Sequence, residues 1–302
     1  LPTPTRRQRQ MCIRDRNKCD FSKSKKEPKA KLNINKWIIS ELNTVSKLIE
    51  KNINDYRFDE AARNIYQFVW HSYCDWYVEL SKTILNSKEK SSISEVKQTL
   101  SYVFKQILIL LHPFIPFITE ELWLKNKLDK PKNYLMFANW SNKKANKDKQ
   151  IKEVENIINL ISQLRAFKNE LNVSPGSFVD MSISTLSKND QLFIKKNQTV
   201  LKKLGRINSF LDADKDKASA NLVIKGDIFK IYFDQSIDLS LIKENLLKRQ
   251  QKYQSELDGI SKRLSNKSFV ERAPKNIVDQ EKNNYSNLKK DIDKISITIK
   301  GL

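Results

Sequence analysis

Among the residues that could bind a metal or move a proton, three cysteines, two histidines and one pair of adjacent glutamates stand out first. Cys12, Cys19 and Cys74 are odd in number, and none forms a Cys-x-x-Cys pair. Neither a disulfide framework nor a zinc site is expected, and the pattern suits a reducing cytoplasm. His71 and His112 bring the sulfur and imidazole donors to five, too scattered for a Cys/His site. His112 directly precedes Pro113, and His71 falls inside an apolar helical pattern, so structural roles are expected of both. Cys74 lies beside Trp76 and reads as a small core residue. Glu120 and Glu121 open a short helix, where carboxylates complement the helix dipole. No catalytic residue, metal or resident cofactor is assigned on these grounds.

What remains is the chemistry of binding a polyanion. The 302 residues carry 56 Lys and Arg against 35 Asp and Glu, a formal charge of +21. The excess is spread along the chain, and only residues 32–140 come near balance. A chain this basic attracts nucleic acid before other partners. The competing reading is that lysine replaces other polar residues in an AT-rich genome. Hydrophobic residues make up 39%, enough for a core, and the mean hydropathy is −0.59. No apolar run reaches the roughly 18 residues of a membrane span, so no membrane partner is expected.

The elements that must hold such a surface read mainly as helices. Residues 1–31 are expected to be a disordered or non-native segment. Leu1 to Arg16 lacks an initiator Met and an apolar signal region, and reads as the broken end of a gene fragment or as a basic arm. From Leu32, Ile38, Leu42, Val45 and Ile49 recur at helical steps, with a stop near Asn52–Asp55. A second helix starts about Asp59, with Ala61, Ile65, Phe68, Tyr73, Trp76, Leu80 and Ile84 on one broad face. A third carries Ile93, Val96, Leu100, Phe104, Ile107 and Leu111, and Pro113 and Pro116 end it and start the next. Residues 32–140 are thus a helical bundle. Residues 141–150 read as a Lys-rich linker, and an amphipathic helix spans Ile151 to Leu171.

Phe178 to Ser184 alternates like a strand, a short helix is placed near Asp190 to Lys203, and Gly226–Asp227 joins two β-rich runs as a hairpin. Residues 141–237 form a small α+β junction domain on this reading. In 238–302, Leu246, Tyr253, Leu257, Ile260 and Leu264 are followed by Tyr285, Leu288, Ile292, Ile295 and Ile299. That spacing predicts an antiparallel two-helix coiled coil, interrupted at Asn266 to Lys275, with Pro274 in the first turn of the return helix.

Five strings in the bundle carry a resemblance. Trp37-Ile38-Ile39-Ser40-Glu41-Leu42 precedes Tyr56-Arg57-Phe58-Asp59-Glu60-Ala61-Ala62. Tyr66-Gln67-Phe68-Val69-Trp70 and Cys74-Asp75-Trp76-Tyr77-Val78-Glu79-Leu80-Ser81-Lys82 come next. Leu111-His112-Pro113-Phe114-Ile115-Pro116-Phe117-Ile118-Thr119-Glu120-Glu121-Leu122-Trp123 closes the set. Their order and spacing over about 90 residues resemble the anticodon-binding domain of class I aminoacyl-tRNA synthetases for branched aliphatic amino acids. Leu264-Ser265-Asn266-Lys267-Ser268-Phe269-Val270-Glu271-Arg272-Ala273-Pro274, with Val278 and Glu281 after it, resembles the tip of the coiled-coil arm of the valyl-tRNA synthetases. Arg165 to Pro175 also looks like that family's linking segment.

The resemblance implies an anticodon-binding bundle, a junction domain and an arm lying against the outer corner of a tRNA. It implies a monomeric cytoplasmic ligase that joins valine to its tRNA through valyl-adenylate, with ATP and magnesium, and that edits threonine. Of the class I signatures, His-Ile-Gly-His is absent. Phe21-Ser22-Lys23-Ser24-Lys25-Lys26 echoes Lys-Met-Ser-Lys-Ser only superficially, so this stretch alone is expected to be inactive. Isoleucyl and leucyl enzymes, and a free-standing tRNA-binding module, are the alternative readings.

Candidate tRNA contacts are Lys36, Arg57 and Arg63 on the bundle. Arg165, Lys168 and Asn172 follow on the helix entering the junction. Lys262, Arg263, Lys267, Arg272 and Lys275 cluster at the arm tip. Each has a bland counterpart as a solvated helix face or coiled-coil charge. Trp37, beside Lys36, is expected in the core.

Overall fold

The computed structural model describes residues 27–128, 133–140, 149–171, 173–212, 219–224, 227–233, 239–266 and 275–301. The chain divides into two compact units, Leu1–Ile158 and Asn159–Leu302. The division falls inside a helix, not in the polar segment 141–150. The helix's first turns belong to the bundle: Ile151, Val154 and Ile157 are buried, and Asn33 Nδ2 donates to Glu153 at 2.8 Å.

The first unit is helical. Helix α1 (Asn33–Asn54) buries Trp37, Ile38, Leu42 and Ile49, so the stripe read from sequence is its inner face. Its start has no side-chain cap of its own. Glu95 supplies one from another helix: Oε1 accepts from the Lys31 and Leu32 amides at 2.8 and 2.9 Å and from Asn35 Nδ2 at 2.9 Å. A carboxylate at a helix start satisfies orphan amides and meets the positive end of the dipole. Asn35 Oδ1 in turn accepts from the Tyr77 hydroxyl at 2.7 Å, and Tyr77 is wholly buried. Burial pushes the Tyr77 phenol well above its ordinary value of 10, so it is a neutral donor. Tyr77→Phe strands the buried Asn35 oxygen, and a loss of about 1–3 kcal/mol is expected in urea unfolding of this unit. A loss below about 0.5 kcal/mol would show that the chain of bonds does not hold α1 in place.

After α1, one continuous rod changes winding twice. Helix α2 (Phe58–Gln67) runs into a π-helical segment (Phe68–Tyr77) and returns to α geometry in α3 (Val78–Leu85). Its buried residues explain the change. Ala61, Ile65, Phe68, Tyr73, Tyr77 and Leu80 are in the core, and the step from Phe68 to Tyr73 is five residues. An α-helix would turn the fifth residue away from the core, whereas the wider π turn brings it back beneath the first. Trp76, expected on this face, is only half-buried, and its place is taken by Tyr77.

Helix α4 (Lys90–Leu111) is buried nearly all round through its second half, as the central helix of a bundle must be. Pro116 occupies the first turn of α5 (Pro116–Lys125). Trp123 from α5 joins Leu108, Ile109, Leu128 and Leu135 in a compact cluster, and its Nε1 donates to the Asn133 carbonyl at 3.0 Å. Leu135 lies in a short 3₁₀ turn (Leu135–Phe137). Glu120 accepts from the Leu135 amide at 3.1 Å, so this carboxylate has a structural partner. His112 Nδ1 lies 2.8 Å from Thr119 Oγ1 and ties the α4–α5 corner, in keeping with the structural role expected of it. His71, by contrast, is exposed and 3.4 Å from Asp75, so it is not the packed residue the sequence suggested. Cys74 is half-buried.

Helix α6 (Lys149–Glu170) runs across the division into the second unit. Strand β1 (Val179–Ser182), helix α7 (Lys188–Gly205), and strands β2 (Ile207–Leu211), β3 (Ala220–Ile224) and β4 (Asp227–Phe233) follow. The sheet order is β2-β1-β4-β3, with β1 parallel to β2 and both other pairs antiparallel. The β3–β4 hairpin agrees with the two β-rich runs, although Gly226 lies outside the described residues. Local sequence does not announce strand β2, because its pattern is weakly alternating. Its parallel pairing with β1 requires a crossover, and α7 supplies it.

Helices α8 (Leu239–Ser265) and α9 (Lys275–Gly301) pack on each other along a narrow apolar seam that buries Leu246, Ile260, Val278 and Ile295. Gln250 Nε2 donates to Ser296 Oγ at 2.8 Å across it. Pro274 lies outside the described residues. The architecture is therefore mainly α, with a small mixed sheet and a terminal helix pair, as expected from the sequence. Among the described residues, no helix is long and apolar enough to cross a membrane.

Candidate nucleic-acid interface

In the first unit, the rod's outer face and the α4–α5 corner enclose an apolar groove. Ala62, Ile65, Tyr66, Val69 and Trp70 form one wall, Leu111, Phe114 and Ile115 the other, and the volume is 250 Å³. Tyr66 and Trp70 are four residues apart across the α-to-π junction, and their rings stack at 6.0 Å with 7° between planes. Tyr66 is 60% exposed. Phe117 (91% exposed) and Ile118 follow on α5, beside Ile115 in sequence. Isolated exposed apolar residues are ordinary, whereas here several of them line one groove.

Two of the bundle's candidate cations, Arg57 and Arg63, stand at the start of α2 and within it, on the rod that supplies this wall. Arg57 and Arg63 both reach Glu60, at 3.4 and 3.3 Å, while staying more than half exposed. One carboxylate between two guanidiniums leaves a net positive charge and unused donors for phosphate. Arg63 stands one turn before Tyr66. Lys36 is half-buried, and its ammonium donates to Gln150 Oε1.

In the second unit, two of the three junction candidates can be placed. Arg165 is exposed, and its Nη2 donates to the Leu204 carbonyl at 3.0 Å. Lys168 is 1% exposed, which overturns its reading as a tRNA contact. Its Nζ donates to the carbonyls of Ser177, Gly205 and Arg206 at 2.9, 3.2 and 3.5 Å. Those carbonyls belong to the approach to β1 and to the end of α7, so a single ammonium joins three segments. Burial first, then the Arg165 and Arg206 guanidiniums, push Lys168 from 10.5 down to about 8. Arg206 itself takes the left-handed conformation that ends α7, with φ 55°, and its guanidinium lies 5.5 Å over the Phe178 ring. Asn172 lies outside the described residues.

On the arm, Lys262 is exposed, and Arg263 bridges to Glu281 of the return helix at 3.2 Å. That bond joins the two helices, with Arg263 still half exposed. Lys267 and Arg272 lie outside the described residues, as does the Lys275 side chain. Among the described residues, no cluster of His, Cys, Asp and Glu can hold a metal ion.

Sequence reasoning missed the groove and the burial of Lys168. The groove had a signal: Tyr66 and Trp70, four apart, lie off the stripe of core residues. Lys168 had none.

Residues 35–183 match the anticodon-binding domain of tRNA ligase, and residues 238–302 match the valyl tRNA synthetase tRNA binding arm. The chain belongs to the valyl-tRNA synthetase family. It is 60% identical over 287 residues to the valine–tRNA ligase of Pelagibacter ubique, covering 95% of the chain and 33% of that relative. The Zymomonas mobilis valine–tRNA ligase is 34% identical over 292 residues, covering 95% and 33%. The Aquifex aeolicus one is 29% identical over 283 residues, covering 88% and 24%. The chain thus spans a quarter to a third of the length of these curated relatives. Residues 184–237, with α7 and three strands, lie outside both matched segments.

Proposed function

We propose that this chain provides tRNA recognition for the attachment of valine to its tRNA. The observation that carries the reading is the aromatic-lipped groove beside Arg63, inside the segment similar to the anticodon-binding domain of tRNA ligases. Protein recognition of RNA targets unpaired loop bases, which stack on aromatic side chains while cations take the phosphates. A flat, open-sided apolar slot with Tyr66 and Trp70 at its lip suits such a base, and Arg57 and Arg63 suit the backbone beside it. The α8–α9 pair supplies a second, rigid surface whose exposed lysines contact backbone without reading sequence. The chemistry of such a ligase, the activation of valine with ATP and magnesium and the editing of threonine, is assigned to parts of the relatives that this chain does not span. The chain holds the RNA, acting as a monomer in the cytoplasm.

The test is binding of this chain to valine tRNA, to isoleucine tRNA and to valine tRNA with an exchanged anticodon, each over a salt series. Tighter binding to valine tRNA, lost on the exchange, is the expected result. Equal affinity for all three, with the same steep salt dependence, would reduce the chain to generic phosphate binding.

A further inference from the structure

Helix α7 connects two parallel strands, and packing alone asks only that one side of it be apolar. Ile194, Leu201 and Gly205 meet that need: all are buried, and a Cβ on Gly205 would stand 3.2 Å from Ile207 Cδ1. Winding the helix at about 100° per residue puts Lys188, Lys195, Lys196, Lys202 and Lys203 within roughly one third of its circumference, opposite that buried side, and Arg206 follows just past its end. Lys188, Lys195, Lys196, Lys203 and Arg206 are exposed, and Lys202 is half-buried. Lys195 meets Asp212 at 3.0 Å. Within the helix itself Asp190 is the lone acid, and it serves the start: its amide donates to the Ser187 hydroxyl at 3.2 Å.

Ordinary helix electrostatics explains only part of this. Lysines in the last turn complement the negative end of the dipole, which accounts for Lys202 and Lys203. Lys188 sits at the positive end, where a cation is unfavourable, and Lys195 and Lys196 sit mid-helix. The arm helices offer a contrast, since both interleave acids with their lysines, as solvated faces do. A row of like charges along about 27 Å of helix repels itself and is relieved by a ligand with regularly spaced negative charge. A membrane surface is a poor match. The apolar side of α7 is taken up by its own unit, and the exposed side offers a single large apolar residue, Leu192.

We propose that this face of α7 is a backbone-binding surface for RNA, reading phosphates and not bases, in a segment outside both family matches. The identity of that RNA as tRNA rests on the function proposed above. Each lysine that meets a phosphate releases counterions, so its loss shows as a shallower salt dependence.

The experiment uses the whole chain carrying Lys188→Gln, Lys202→Gln and Lys203→Gln together. These side chains make no ion pair described in the structure, and an unchanged melting temperature and circular dichroism would establish that the variant folds. Valine tRNA, polyuridylate and polyglutamate are titrated from about 50 to 200 mM salt. The expected result is a roughly tenfold loss of tRNA affinity at low salt and a log–log slope shallower by about two. An unchanged slope for both RNAs, with valine tRNA still preferred by the parent chain, overturns the surface and leaves the tRNA reading standing. Loss on polyuridylate in a chain with no preference for valine tRNA keeps the surface and removes that reading. Loss confined to polyglutamate would reassign the surface to an acidic protein. If neither RNA binds the parent chain at low salt, both proposals fall.

Discussion

Lys168→Met is expected to destabilise the second unit by about 2–4 kcal/mol. Methionine fills the volume of the aliphatic stem but donates nothing. Three main-chain carbonyls then lose their donor in a site with 1% exposure of the original side chain. Each buried acceptor left without a partner costs on the order of 1–3 kcal/mol, and some relief comes from water entering beside the exposed Arg206. Because the chain has two units, a single melting curve would mix them. Hydrogen exchange of the β1 and β2 amides isolates the second. Protection lost there, with α1 and α4 amides unchanged, is the expected pattern. Unchanged protection of β1 and β2 would mean that the three bonds are incidental.

The same residue sets a pH dependence of definite sign. Its pKa is about 8 in the folded chain and 10.5 when unfolded. Below about pH 8 the amine is charged in both states, and the cost of burying that charge is fully present. Between pH 8 and 10.5 the unfolded chain holds a proton that the folded chain has released, so stability contributed by this group rises with pH. Lys168→Met should remove that rise. A parent chain whose second unit shows no gain over this interval, after comparison with the variant, would place the amine's pKa near its ordinary value.

Tyr66→Ala is expected to lower the affinity for valine tRNA by about tenfold or more. Loss of one base–aromatic stack costs about 1–3 kcal/mol, and a factor of ten is about 1.4 kcal/mol. The ring is 60% exposed, so the bundle should keep its stability. Tyr66→Phe preserves the flat face and should bind nearly as the parent does, which separates stacking from any bond made by the hydroxyl. Wild-type affinity in the alanine variant would show that the groove takes no base and leave the phosphate contacts of Arg57 and Arg63 as the bundle's share.

Much of this molecule follows from local sequence. The helices of the bundle and of the arm are long and strongly periodic, and Pro113 and Pro116 mark a corner that backbone chemistry alone requires. The β3–β4 hairpin is local too, because two adjoining β-rich runs pair with each other. The strings around Trp37, Trp76 and Trp123 were sufficient to suggest the family, and the arm tip to choose among its branches. Cationic character was legible as a sum.

Tertiary structure decided the rest, wherever a residue's role depends on partners distant in sequence. Lys168 looks like any lysine on a helix until the end of α7 and the approach to β1 bring three carbonyls to one point. Strand β2 exists because β1 offers it a parallel edge some 25 residues earlier, which no local alternation announces. The turn widens at Phe68–Tyr73 because the core selects Tyr77 over Trp76, a choice made by Asn35 and Glu95 from other helices. The groove needs both the rod and the α4–α5 corner. Periodicity records which side of an element is apolar, whereas the number and direction of polar partners depend on how the elements meet.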